Sequence, residues 1–296
     1  MQRIYYLVVG WLLFTVPSYA QLSSEANLTD EPVIDSSFLE IYKANREMSY
    51  TSPKGEIGSP VSFVLIGRLT TSYFLFTSSR LSFALIPDFT VKVIDERSVG
   101  VRTPSLKLGG MLYYQLNKDL NEYKYASLRF THHSNGQDGE ALNPDGHVNT
   151  RTGNFSTNFL TLSYHFGKRK SVDLKTFLLN HEVGLEWHRW FDYENALEND
   201  YGFTRLNYRF SVQQSTVQHE NWRFISELSY AINKMDGYKA TALKKRINIE
   251  SAFHYSFLFM HKAFLMAAVG YYGEDPYNIY YQNKYTYLRL GVSSSL

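Results

Sequence analysis

Strict alternation of apolar and polar residues governs what this chain can become. From Leu106 to Leu116 the even positions are Leu106, Leu108, Gly110, Leu112, Tyr114 and Leu116, while Lys107 and Gln115 stand among the odd ones. Successive strand residues point to opposite faces, so this period predicts a strand with one apolar and one polar side. Leu206, Tyr208, Phe210 and Val212 alternate with Arg205, Asn207, Arg209, Ser211 and Gln213 in the same way. So do Trp222, Phe224, Leu228, Tyr230 and Ile232 with Arg223, Glu227 and Ser229. Further strands are predicted at about 173–189, 247–258, 263–273 and 285–295, and no stretch of comparable length after residue 60 has a helical period.

The links between strands fall into two kinds. Short ones at 259–262, 214–221, 167–172 and 117–122 alternate with longer, polar ones at 274–284, 233–246, 190–202 and 135–154. Outer-membrane barrels have that asymmetry, with short periplasmic turns and longer extracellular loops. Nine strands counted back from the C-terminus, with three more between residues 60 and 95, predict an all-β transmembrane antiparallel barrel of about twelve strands. The composition agrees: 24 Tyr, 20 Phe and 4 Trp accompany a slightly polar mean hydropathy of -0.31, as expected where lipid-facing and lumen-facing residues alternate between aromatic girdles.

"MQRIYYLVVGWLLFTVPSYA", residues 1–20, has one early arginine, an apolar run and a small-residue exit, and reads as a secretory signal peptide. Residues 21–58 are polar and without alternation. They are expected to form a periplasmic segment, either packed at the barrel mouth or left as a disordered tail, before a barrel over 59–296. With no cysteine there is neither disulfide nor thiolate site. Thirty basic against 28 acidic residues give no electrostatic footprint for nucleic acid. The histidines show no tight zinc-ligand spacing, and Lys244 to Arg246 reads as a charge cluster on an external loop.

One strand breaks its own pattern. Between Tyr123 and Ser134 the even residues Ala126, Leu128, Phe130, His132 and Ser134 share the apolar face, which places His132 and Ser134 at its rim, while His133 is expected in the lumen. The next strand places Asn158 on the apolar face at the same end, in line with Leu160, Leu162 and Tyr164. A serine needs a base to become a nucleophile. Residues two apart on a strand lie ~7 Å apart on one face, and an asparagine carbonyl can hold the base in one tautomer. Backbone N–H groups at the Asn135-Gly136 turn are candidate oxyanion donors. Polar residues at a rim cost only about 0–1 kcal/mol near the interface, so parity alone does not make a site.

The local sequence adds to it. "HHSNG", His132 to Gly136, resembles the H-x-S-N-G signature of the outer-membrane phospholipase A family, twelve-stranded barrel esterases with a Ser-His-Asn triad on the outer surface. "GYYGEDPYNIYYQNKYTYLRLGV", Gly270 to Val292, resembles that family's penultimate loop and closing strand. The resemblance covers roughly residues 106–166 and 262–296. It implies His132 as general base, Ser134 as nucleophile, Gly136 as oxyanion donor and Asn158 as the triad asparagine, with Asn154 the second choice because the serine-to-asparagine interval is longer than usual. It also implies a phospholipid substrate, an active homodimer, and calcium beside the oxyanion site, with Gln137, Asp138 and Asp145 as candidate ligands. Two alternatives remain. A lipid A deacylase also carries H-x-S-N, but its triad glutamate would fall on Gly146, with Glu140 a poor substitute. A barrel without chemistry would show no effect of Ser134→Ala.

Overall fold

The computed structural model describes residues 42, 46–78, 80–96, 101, 104–117, 119, 121–191, 193, 197–217, 219–260 and 262–295. The expected signal peptide and nearly all of 21–45 lie outside the described residues. Fourteen strand segments form one antiparallel sheet. They are β1 (Ser49–Pro53), β2 (Phe63–Thr70), β3 (Tyr73–Thr77), β4 (Leu81–Leu85), β5 (Asp88–Ile94), β6 (Ser105–Gln115) and β7 (Glu122–Ser134). There follow β8 (Ser156–Val172), β9 (Lys175–Trp187), β10 (Thr204–Ser215), β11 (Glu220–Ala231), β12 (Ile247–Tyr255), β13 (Ala263–Tyr272) and β14 (Tyr285–Ser294).

The segments make a closed barrel of twelve staves. β2 with β3 is one stave, broken at Thr71-Ser72; β4 with β5 is another, broken at Ile86-Pro87, where the proline has no N–H for the ladder. β1 pairs with β14 on one side and β2 on the other, and β6 with β7, which closes the sheet on itself. The region between residues 60 and 95 thus supplies two staves, not the three expected, and the missing one is β1, inside the segment expected to precede the barrel. The barrel begins at Ser49, ten residues before the expected boundary. Its sequence, "SYTSP", gives no signal because Ser49 and Ser52 are the buried residues and neither face is continuously apolar. The expected link at 167–172 is strand as well: β8 runs on through Lys168, Arg169 and Lys170 to a tight turn at Asp173-Leu174. Asp173 there takes a left-handed φ of 54°.

The distribution of side chains is inverted relative to a water-soluble protein. Leu108, Leu128, Leu162, Val183, Leu206, Phe253, Val269 and Leu290 stand exposed on the outer wall. Ser127, Thr131, His133, His165, Arg205, Arg209, Arg223 and Arg289 are buried within. Apolar surface in water costs roughly 25 cal/mol per Å², so an outer wall of this kind belongs in hydrocarbon, and this is a transmembrane β-barrel.

The lumen is knitted by ion pairs. Arg68 meets Asp88 at 2.8 Å and Glu47 at 3.2 Å. Arg209 meets Glu47 at 2.8 Å, and Lys92 joins Asp275 at 2.9 Å and Glu56 at 3.3 Å. Arg289 joins Glu56 and Glu250, and Arg205 pairs with Glu274. At the short-turn end, residues preceding β1 enter the bore. Tyr42 packs edge-on to Phe74 with ring centroids 4.7 Å apart, Arg46 reaches Ser295, and Met48 is buried with Ile225 and Phe264.

At the other end, three loops fold over the mouth. Phe155, Leu197, Tyr201, Phe203, Ile279 and Tyr281 form one apolar cluster there. Lys245 and Arg246, expected as exposed loop charges, are instead 2% and 4% exposed. Arg246 donates to the carbonyls of Ala231, Asn233, Tyr238 and Lys239, and its job is to tie down its own loop.

Candidate functional site

Antiparallel pairing of β7 with β8 sets the site. Each residue of β7 is level with one of β8: Phe130 with Leu160, His132 with Asn158, Ser134 with Ser156. The even residues of β7 face outward, as alternation requires, so His132 and Ser134 lie on the lipid-facing wall at the long-loop end. His133 points inward, 2% exposed, with Ser105 Oγ 2.8 Å from its Nε2. Leu108, level with His132, and Leu106, level with Ser134, extend the apolar surface on the other flank.

His132 Nδ1 lies 2.8 Å from Asn158 Oδ1. With that carbonyl oxygen accepting, the ring donates from Nδ1, which leaves the Nε2 lone pair free to take a proton. Asn154 is not the partner: it sits at the base of the loop, its backbone N–H donating to Gly139 O at 2.8 Å. Ser134 Oγ accepts from the Gly136 N–H at 3.1 Å and makes no hydrogen bond to His132 among the described residues. The structure therefore brings together histidine and asparagine, and holds the serine beside them with its oxygen turned toward the expected oxyanion donor.

The turn after the serine has a definite architecture. Gly136 has φ 66°, the left-handed region in which a Cβ is costly. Asn135 is fully buried; its Oδ1 accepts from the Phe155 and Gln137 N–H groups at 3.0 and 3.4 Å, and its Nδ2 donates to Gly153 O at 2.8 Å. One side chain thus staples the two ends of the 135–155 loop. In the sequence only the backbone of Asn135 stands out, as part of the turn. A buried asparagine bridging residues twenty apart has no local pattern to announce it.

The calcium candidates are less well gathered. Gln137 is half-buried and Asp138 exposed beside the turn, while Asp145 Oδ1 accepts from the His147 N–H at 3.0 Å and so caps its own turn. Among the described residues no three His, Asp or Glu side chains converge as a metal cage. Calcium takes main-chain, amide and water oxygens as well as carboxylates, so Gln137 and Asp138 beside the turn do not need a carboxylate cage to serve it. The other family-like stretch serves the mouth: Glu274 accepts from the Gly202 N–H at 2.9 Å and from Arg205, and Asp275 accepts from Lys92 and from the Tyr277 N–H. Burial pushes both carboxyls above the usual carboxylate range, against the pull of those cations.

Fold and site together define a twelve-stranded membrane barrel with a polar cluster on its lipid-facing wall. No protein-family model and no curated protein matches the chain. Among solved structures, an outer membrane channel from Pseudomonas putida F1 is similar, with 15% identity and a TM-score of 0.38 over 83% of this chain and 92% of that one. At that level the likeness bears on neither the site nor the activity.

Proposed function

We propose that this chain is an outer-membrane acyl hydrolase that cleaves phospholipid esters at the lipid-facing His132-Ser134-Asn158 cluster. The observation that carries the reading is the 2.8 Å contact between His132 Nδ1 and Asn158 Oδ1, made on the outer wall two residues from a serine. His181 on the same wall is also held, its Nδ1 2.8 Å from the Tyr208 hydroxyl, so what sets His132 apart is the serine two residues away. Location in an outer membrane accords with the short turns at one end, the long loops at the other and the signal peptide expected at residues 1–20.

In the proposed reaction Ser134 Oγ swings from Gly136 toward the ester carbonyl and gives its proton to His132 Nε2. The Gly136 N–H, released from the serine, then faces the developing oxyanion. His132 passes the proton to the departing alkoxide, and water completes the cycle through the acyl-enzyme. Asn158 keeps the ring oriented, though a neutral amide steadies the imidazolium less than a carboxylate would. A substrate already in the bilayer reaches such a site without leaving it. Dependence on calcium and on a second copy of the chain belongs to this proposal through the family resemblance.

The test is fatty-acid release from phospholipid mixed micelles by the refolded protein and by Ser134→Ala, each with calcium and with chelator. Release by the wild type that Ser134→Ala lowers by at least about a thousandfold supports the reading, and its loss in chelator supports the calcium requirement. A folded wild type that releases nothing from phospholipid or from lipid A sinks it in favour of a barrel without chemistry.

A further inference from the structure

A cavity lies inside the barrel, separate from the outward cluster. It encloses about 390 Å³, room for about a dozen water molecules at ~30 Å³ each. Its lining cations are almost all matched by acids, as the pairs of Arg68, Lys92, Arg205, Arg209 and Arg289 attest. Lys107 and Arg129 differ. Both line the cavity, and neither side chain has a hydrogen bond or ion pair among the described residues; Arg129 Nε is buried without a partner.

The register brings these two cations to one niche. Across β6 and β7, Lys107 is level with His133, Gly109 with Thr131 and Met111 with Arg129. Thr131 therefore lies between the two charged levels, which are about 13 Å apart along the strand, a span that two long side chains close. Its hydroxyl is buried, at 1% residue exposure, and unpartnered. Gly109 opposite lets the backbone of Phe130 and Thr131 approach closely, where a Cβ would collide with it. The nearby acids are already engaged. Asp88, level with Lys107 across β5 and β6, gives its two oxygens to Arg68 at 3.0 and 2.8 Å. Glu186 holds His188 at 2.8 Å and Arg205 at 3.6 Å, and Glu47 is shared by Arg68 and Arg209.

We propose that Lys107, Arg129 and Thr131 bind a small free oxyanion, phosphate or carboxylate in type, inside the barrel. Two cations of like sign in one cavity, whose neighbouring acids are held closer by other bases, are costly. An oxyanion answers them with the guanidinium fork on one side, the ammonium on the other and the hydroxyl donating between. A lipid headgroup is a poor occupant, because its chains would have to cross the barrel wall. This site is independent of the hydrolase reading, and either stands if the other fails.

The probe is inorganic phosphate, added during refolding so that the covered mouths do not limit entry, and then titrated by equilibrium dialysis at constant ionic strength against chloride. The expected result is a single saturable site, weakened at least about tenfold by Lys107→Met and by Arg129→Met and retained by Lys107→Arg. Gel mobility with and without heating shows which variants have folded. If the methionine variants do not fold, Thr131→Val, which keeps the shape of the residue, decides the matter by a several-fold loss. Absence of saturable binding in folded wild type overturns the proposal, as does unchanged affinity in the folded variants.

Discussion

His132 is the residue on which the chemistry turns, because its two nitrogens face different tasks. Asn158 engages Nδ1 at 2.8 Å, and the proposed base is the nitrogen left over. Replacing Asn158 by alanine removes the one hydrogen bond that the ring makes among the described residues. The expected outcome is a fall in kcat of about ten- to a hundredfold, the equivalent of about 1.4–2.7 kcal/mol, with little change in KM, measured on a micellar phospholipid. Asn158→Asp should recover part of that loss or all of it, since a carboxylate fills the same acceptor position and steadies the imidazolium. If Asn158→Ala has full activity, the contact is incidental and the histidine is oriented by something else. His132 and Asn158 were legible in the sequence because both interrupt a face that is otherwise apolar. The Asn135 side chain was not, since its partners, Phe155 and Gly153, are distant in sequence and meet it only once the loop has closed.

At the scale of the element, β7 and the 135–155 loop behave as one unit. The strand supplies the histidine and serine, and Asn135 converts the start of a long loop into a rigid turn that presents Gly136 to the serine. Asn135→Ala leaves the buried Phe155 N–H and Gly153 carbonyl without their side-chain partner, at about 1–3 kcal/mol for each group left unsatisfied. The expected result is faster amide exchange across 136–154, with β7 and β8 still protected, and an activity loss that exceeds the loss of stability. Uniform deprotection of the whole barrel would show instead that Asn135 serves global folding. Strand periodicity carried most elements through, from β6 to β14, because each has one wall in lipid and one in the lumen. It failed at β1, where Ser49 and Ser52 are the buried residues and the neighbours that define its register are β14 and β2, one of them at the far end of the chain.

For the whole molecule, stability rests on charges placed where water is scarce. Glu56, between β1 and β2, is 4% exposed and touches Lys92, Arg289, Tyr272 and Tyr285, which belong to three different staves. Burial alone would raise its carboxyl. Lys92 and Arg289 outweigh that and hold it at about 2, below its ordinary 4.5. An acid whose folded value is depressed lends stability that is fully present above its unfolded value and drains away as the pH falls toward the folded one. The barrel should therefore melt at a nearly constant temperature from neutrality to about pH 5 and progressively lower between about pH 4.5 and 2, when unfolding is followed by loss of sheet signal in detergent micelles. Glu56→Gln removes this carboxylate while keeping its shape, so it should melt lower than wild type at neutral pH and lose less on acidification. Breaking a buried pair at one partner costs about 3–5 kcal/mol, because Lys92 and Arg289 would each keep a charge with one acid fewer to answer it. If the wild-type and Glu56→Gln profiles run parallel down to pH 2, the acid sensitivity lies elsewhere among the lumen pairs, with Glu47 the next candidate: Arg209 and Arg68 hold its carboxyl at about 2 against the same opposing effect of burial.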